Sequence, residues 1–148
     1  MTITHCAIVP AYNAAHYLPQ TLGDLLSYVD RIIVVDDGST DYTARIAEGV
    51  ERTDVIRQRR QGPGGAVLSG LRMAKDQGAT YAVVVDADGQ MDATKIPALF
   101  DMLAGHGLDL VRGSRLNPSS GGDTMPLLRY AAARILALPS SWCARGVI

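Results

Sequence analysis

Apolar runs and segments of helical period alternate along the chain. Residues 3–9 (ITHCAIV), 31–35 (RIIVV), 54–57 (DVIR), 81–85 (YAVVV) and 108–111 (LDLV) are short, apolar and mostly β-branched, as strands covered on both faces are. Between them Leu18, Leu22, Leu25 and Val29 recur at helical spacing, as do Val67, Leu71 and Ala74, and again Ile96, Leu99, Phe100 and Leu103. Each set predicts a helix with one apolar stripe. The order βαβαβαβαβ predicts an α/β fold: a single doubly wound, mostly parallel sheet with helices on both faces. Ligands of such sheets bind outside the carboxyl ends of the strands, so the residues that follow each strand carry the functional question. Residues 113–126 (GSRLNPSSGGDTMP) have no period and predict a long loop, and residues 127–138 (LLRYAAARILAL) predict a further helix that stops before Pro139.

Composition narrows the class. The chain has 148 residues, 47% hydrophobic and 20% charged, enough for one ordinary domain and too few for two. A net charge of -1 gives no general attraction to nucleic acid. Cys6 and Cys143 have neither zinc-site nor disulfide-framework spacing, which predicts a reducing, cytoplasmic setting. The opening residues lack the basic segment of a signal peptide, and no apolar stretch approaches the ~18 residues of a membrane span.

Three strand ends are polar: PAYNAAHY after the first, DDGSTD after the second and DADGQMD after the fourth. One of Asp36, Asp37, Ser39 and Thr40 is expected to cap a helix beginning near Thr40. Capping does not account for two adjacent carboxylates, which repel unless a donor or a cation meets them, and a ribose or base is the expected partner. Asp86 and Asp88 are two apart, so in an extended chain both reach one point and suit a hard divalent cation such as Mg²⁺ or Mn²⁺, with Gln90 offering an amide oxygen. An EF-hand is excluded because Gly89 falls at position 4 of such a loop and not at the required position 6. Asp92 reads as the cap of the helix holding Ile96 to Leu103. QGPGGAVLSG (61–70) is neither a dinucleotide fingerprint nor a Walker loop, yet its glycine-rich helix start, with Arg59 and Arg60 adjacent, suits either a plain turn or an anion. Arg112 and Arg115 are either solvated charges or diphosphate contacts.

IVPAYNAAHYL, RIIVVDDGSTDYT, GPGGAVLSGL, VVVDADGQMDATKIPALF and LVRGSRL occur in the order and spacing of family-2 glycosyltransferases of the GT-A fold, and over about residues 5 to 130 the chain most resembles their dolichyl-phosphate mannosyltransferase-like, polyprenyl-phosphate sugar transferase branch. The resemblance implies a metal-dependent, inverting transfer of sugar from a nucleotide-diphosphate sugar of the UDP or GDP type to a polyprenyl phosphate. It implies Pro10, Tyr12 and Asn13 lining the nucleotide pocket, Asp36 and Asp37 at base and ribose, and Ala87 between Asp86 and Asp88 contacting the nucleotide. Asp86, Asp88 and Gln90 would hold Mg²⁺ or Mn²⁺, and Asp88 and Arg115 would act in catalysis, Arg115 facing the diphosphate. Ala14 and Pro63 depart from the family pattern, which leaves the donor open.

The rival class, a sugar-1-phosphate nucleotidyltransferase, would carry a glycine-rich basic motif after the first strand, and PAYNAAHY has no glycine. Residues 1–116 are expected to form the nucleotide-sugar-binding core, and 117–148 a loop and helix with an incomplete acceptor region, since no DPTSGFR-like stretch is present. The chain alone is therefore expected to transfer sugar slowly or not at all; the alternative is a non-catalytic or remnant nucleotide-sugar-binding protein. Leu127, Leu128, Ile135, Leu136 and Leu138, with Arg129 and Arg134, form a stripe that suits core packing or a peripheral place at the cytoplasmic membrane face, and Trp142 with that helix suits self-association into a homo-oligomer.

Overall fold

The computed structural model describes residues 5–113. They form β1 (His5–Ala11), α1 (Leu18–Leu25), β2 (Arg31–Asp36), α2 (Thr43–Glu48), β3 (Thr53–Arg57), α3 (Gly62–Asp76), β4 (Tyr81–Val84), a 3₁₀ turn (Ala93–Lys95) and α4 (Ile96–His106). The four strands pair in the order β3-β2-β1-β4, and every pairing is parallel. The predicted fold class is the observed one.

The uninterrupted apolar strands are explained by two cores. On one face Ala7, Val9, Ile32 and Val34 meet Leu18, Leu22 and Leu25 of α1, Ala47 of α2, and Ile96 and Phe100 of α4. On the other, Cys6, Ile8, Ile33 and Val35 meet Ala66 and Ala74 of α3. Burial pushes the Cys6 thiol up to about 11, with the Asp54 charge adding to the rise, so this cysteine is a small core residue and not a nucleophile.

Pro10 stands in a central strand, where a missing N–H is normally costly. Ile8 passes its carbonyl to Val85 N–H on the β4 side and Ala11 passes its own to Asp37 N–H on the β2 side. By alternation Pro10 faces as Ile8 does, toward β4, which has already ended at Val84. No ladder bond is lost, and the proline marks where the sheet opens.

Three expectations are corrected. Residues 108–111 are not a strand: they pair with no neighbour, and Leu110 stands 82% exposed. Four residues form a strand only where a neighbouring backbone meets their N–H and C=O groups, and among the described residues none does. The inward stripe of α3 is Ala66, Gly70 and Ala74, not Val67, Leu71 and Ala74; Leu71 faces outward. Small residues face the sheet because Ile8 and Val35 already fill the space, and a Cβ on Gly70 would overlap Ile8 Cγ2. Helix α2 begins at Thr43, later than predicted, with Tyr42 at its N-cap and no cap bond from that side chain; Asp41, one residue earlier, accepts from Thr43 N–H at 3.0 Å. Asp92 caps the 3₁₀ turn that leads into α4, accepting from Thr94 N–H at 3.0 Å, while Lys95 stands at the N-cap of α4 itself. The predicted 127–138 helix, the 117–148 segment, Trp142 and Cys143 lie outside the described residues. Among the described residues no helix is long and apolar enough to cross a membrane.

Gly70→Ala should lower stability by about 1–3 kcal/mol, the usual range for overpacking a filled core. Urea unfolding checks this, and an unchanged midpoint would mean that α3 can lift off β1 without loss.

Candidate functional site

Strand β1 connects outward to β2 in one direction, while α3 carries the chain back across the sheet to β4 on the other side. Such a reversal leaves a crevice at the carboxyl ends of the two strands concerned. A cavity of about 390 Å³ lies there. Pro10, Tyr12 and Asn13 line it from β1, and Asp86, Ala87 and Asp88 from β4. Asp37 and the start of α3 close the side between them. Asp36 and Gln90 do not line it, and Arg115 lies outside the described residues.

The loop after β1 is tied to the loop after β2. Asn13 has φ 50°, a left-handed conformation that asparagine tolerates better than most residues. In that conformation its N–H donates to Ser39 Oγ at 2.9 Å, and its Oδ1 accepts from Thr40 N–H at 2.8 Å. Ala14 N–H donates to Thr43 Oγ1 at 2.8 Å and Ala15 N–H to Asp41 Oδ2 at 3.1 Å. Burial disfavours the Asp41 charge, but the bonds from Thr43 and Ala15 outweigh it and hold the carboxyl below the usual range. Asp36, 6% exposed, accepts from Ser39 N–H at 2.9 Å. Much of the polar cluster DGSTD thus joins two loops.

Asp37 is 4% exposed and accepts three hydrogen bonds: Gln58 Nε2 at 2.8 Å, Gln61 N–H at 2.8 Å and Gly62 N–H at 2.7 Å. Burial would raise its pKa, yet these donors and the Arg60 charge hold the carboxyl below the usual range. The glycine-rich turn is therefore an anion site whose anion is the protein's own Asp37. A carboxylate has about four lone-pair positions, so one remains to face the cavity. Gly38, at φ 79°, lets the Arg60 backbone pass: a Cβ there would stand 3.2 Å from Arg60 N.

The strand stops at Val84, so Asp86 and Asp88 are not both on an extended strand; residues 87–88 turn, Asp86 precedes that turn, and both residues line the cavity. Asp88 Oδ1 accepts from Gln90 N–H at 3.0 Å, so Gln90 meets Asp88 through its backbone. Among the described residues no three His, Cys, Asp or Glu side chains converge. Two exposed carboxylates are a hard-oxygen donor set that fits a Mg²⁺-type ion, which commonly takes one or two carboxylates and completes its shell with water and phosphate oxygens.

Sequence reasoning noted Arg60 only as a neighbour of the glycine-rich turn and missed Tyr17. Both line the cavity, and the Arg60 guanidinium carbon lies 3.9 Å from the Tyr12 ring centroid. An aromatic strand-end residue opposite an arginine is a detectable signal, but only once the β1–β3 distance in space is known.

A crevice at the switch point of a parallel sheet, with Asp86 and Asp88 in its lining, belongs to the doubly wound α/β class. The sequence model of Glycosyl transferase family 2 matches residues 6–140, and the chain belongs to that family. It is 30% identical to a UDP-N-acetylglucosamine–dolichyl-phosphate N-acetylglucosaminyltransferase of Methanococcus voltae, over 82% of this chain and 56% of that protein. It is 37% identical to an undecaprenyl-phosphate mannosyltransferase of Micrococcus luteus, over 82% and 52%. The chain spans about half the length of these curated relatives. The fold is shared with M. tuberculosis glucosyl-3-phosphoglycerate synthase at a TM-score of 0.57, 24% identity, and 72% and 42% of the two chains. It is shared too with a 4-diphosphocytidyl-2C-methyl-D-erythritol synthase at 0.58, 17% identity, and 86% and 71%.

Aspartates of the unfolded chain titrate near ~3.9. A carboxyl held lower in the fold adds stability above that value and loses it as pH falls through the folded pKa. Asp37 and Asp41 should therefore make the protein lose stability below about pH 4. Asp37→Asn should be about 1–3 kcal/mol less stable at pH 7, because an amide leaves a buried donor unmet, and should lose less between pH 4 and pH 2. Urea midpoints across that range check both parts, and parallel curves would contradict the role given to Asp37.

Proposed function

We propose that the cavity binds a nucleoside-diphosphate sugar with a divalent cation, and that the protein passes the sugar to a polyprenyl phosphate with inversion at the anomeric carbon. The observation that carries this is the convergence of Tyr12, Asn13, Asp37, Asp86 and Asp88 on one cavity at the carboxyl ends of β1, β2 and β4. The family and the printed names of the relatives supply the chemical class of donor and acceptor. The M. tuberculosis synthase with the same fold is described in complex with Mn²⁺ and UDP, which makes these the first probes.

In this reading the exposed Tyr12 ring offers a stacking face to the base, and the remaining lone pair of Asp37 accepts from a base N–H or a ribose hydroxyl. Pro10 and Ala87 let the nucleotide approach the backbone closely. Asp86 and Asp88, with Gln90 beside them, hold Mg²⁺ or Mn²⁺. Bound there, the cation would neutralise charge on the departing diphosphate. Arg115, by its resemblance to the family's basic residue, meets the same oxygens. A lipid phosphate acceptor is anionic at neutral pH and needs no general base, in keeping with a cavity lining that holds no histidine among the described residues. The acceptor puts the working protein at the cytoplasmic face of a membrane.

Calorimetry with UDP- and GDP-linked sugars, with and without Mn²⁺, tests the reading. Asp88→Ala should weaken Mn²⁺-supported binding by about tenfold or more, as loss of a charged contact implies. Binding that survives EDTA unchanged would remove the metal from the site.

A further inference from the structure

Arg60 has no part in the chemistry above, yet it lines the cavity beside Tyr12. Its guanidinium carbon sits 3.9 Å from the Tyr12 ring centroid. An aromatic base stacked on that ring would lie in the same layer, about 3.5–4 Å above it. Guanidinium and base therefore exclude each other on this face. Arg60 forms no ion pair among the described residues, and the nearby Asp37 carboxylate is already held by Gln58, Gln61 and Gly62. The guanidinium is held over Tyr12 by the ring and by the nearby Asp37 charge, with no hydrogen-bonded carboxylate to clamp it.

We propose that Arg60 is a charge-selective cover on Tyr12, which makes the site discriminate phosphate-bearing nucleotides from neutral nucleosides; this rests on the reading of the cavity as a nucleotide site. A nucleoside that stacks on Tyr12 must displace the cation from the ring and returns nothing to it. A nucleoside diphosphate displaces it too, but brings oxygens that the planar fork can take in pairs. The same displacement thus lowers the affinity of the neutral ligand and is offset for the anionic one. Free nucleosides and bases are kept from blocking the site, with no steric barrier to entry.

The test is a set of dissociation constants for uridine, UDP, guanosine and GDP at fixed Mg²⁺, measured on the wild type, Arg60→Gln, Tyr12→Leu and the double variant, with thermal melts as the folding control. Arg60→Gln should bind the preferred diphosphate about tenfold more weakly and its nucleoside about two- to fivefold more tightly. On the Tyr12→Leu background the gain for the nucleoside should vanish, because no ring remains to be uncovered. A wild type that binds UDP or GDP while Arg60→Gln changes neither ligand overturns the proposal and leaves the nucleotide reading intact. Equal weakening of nucleoside and diphosphate also overturns it, since a structural role would move both together. A wild type that binds none of the four ligands removes the nucleotide reading and this proposal with it.

Discussion

The site is held in shape by one buried carboxylate. Asp37 follows the last residue of β2, and its two oxygens take N–H groups from the loop after β3 and from the first residue of α3. An aspartate so far from water would be destabilising without donors, and the donors at a helix start would be unmet without an anion. Each resolves the other's deficit. Gln58 extends the link, since its Oε1 accepts from Ser69 Oγ at 2.7 Å, about two turns further along α3. The wall of the cavity is thereby fixed to the middle of the sheet, and α3 cannot shift without exposing both ends of this arrangement. The close seat of Gly70 on Ile8 and Val35 fixes the same helix a second time, from below.

The loops above are governed by a similar economy of donors. Asn13, Ser39, Asp41 and Thr43 join the segments after β1 and β2, so that Tyr12 is presented from a braced loop. The Asp86–Asp88 turn differs: its carboxylates are exposed, and the bond from Gln90 N–H is the hydrogen bond they receive among the described residues. The braced half of the site holds Tyr12 and Asp37, and the half with unmet charge holds Asp86 and Asp88. That division suits an aromatic group at the braced end and a cation at the carboxylates, through which an anion could then be met.

Strands β1, β2 and β4 were legible in the sequence because a sheet covered on both faces demands short, mostly β-branched apolar runs, while β3 showed only Val55 and Ile56 between Asp54 and Arg57. The location of the site followed from the same rule, since polar residues have no packing reason to gather at strand ends. The inward face of α3 was not legible: Ala66 and Gly70 face the sheet because the opposing side chains are large, and hydrophobicity along one segment carries no information on what stands opposite. The run at 108–111 misled for a related reason, as alternation marks a strand's faces but not whether a neighbouring backbone is present to bond its edge. The partners of Asp37, and the bond from Ala15 to Asp41, were equally out of reach, whereas Asp36 meets Ser39 only three residues on. Which carboxylate meets which N–H depends on loops brought together from positions some two dozen residues apart, as with Asp37 and Gln61. Arg60 belongs to this class too, since its meeting with Tyr12 joins the ends of two strands that are not neighbours.

The order β3-β2-β1-β4 also has a history in time. Strand β1 is made first and lies in the interior of the finished sheet, with Cys6 against Arg31 on one side and Ala82 on the other. While the chain emerges, β2 can join it early, but its second edge stays open until β4 has been synthesised. An apolar strand with an unpaired edge is a template for wrong partners, and pairings between distant segments form slowly. A nascent chain arrested before residue 81 therefore presents Cys6 to Ile8 as an adhesive edge, which makes folding of this domain sensitive to the pace of translation and to chaperones that shield such edges.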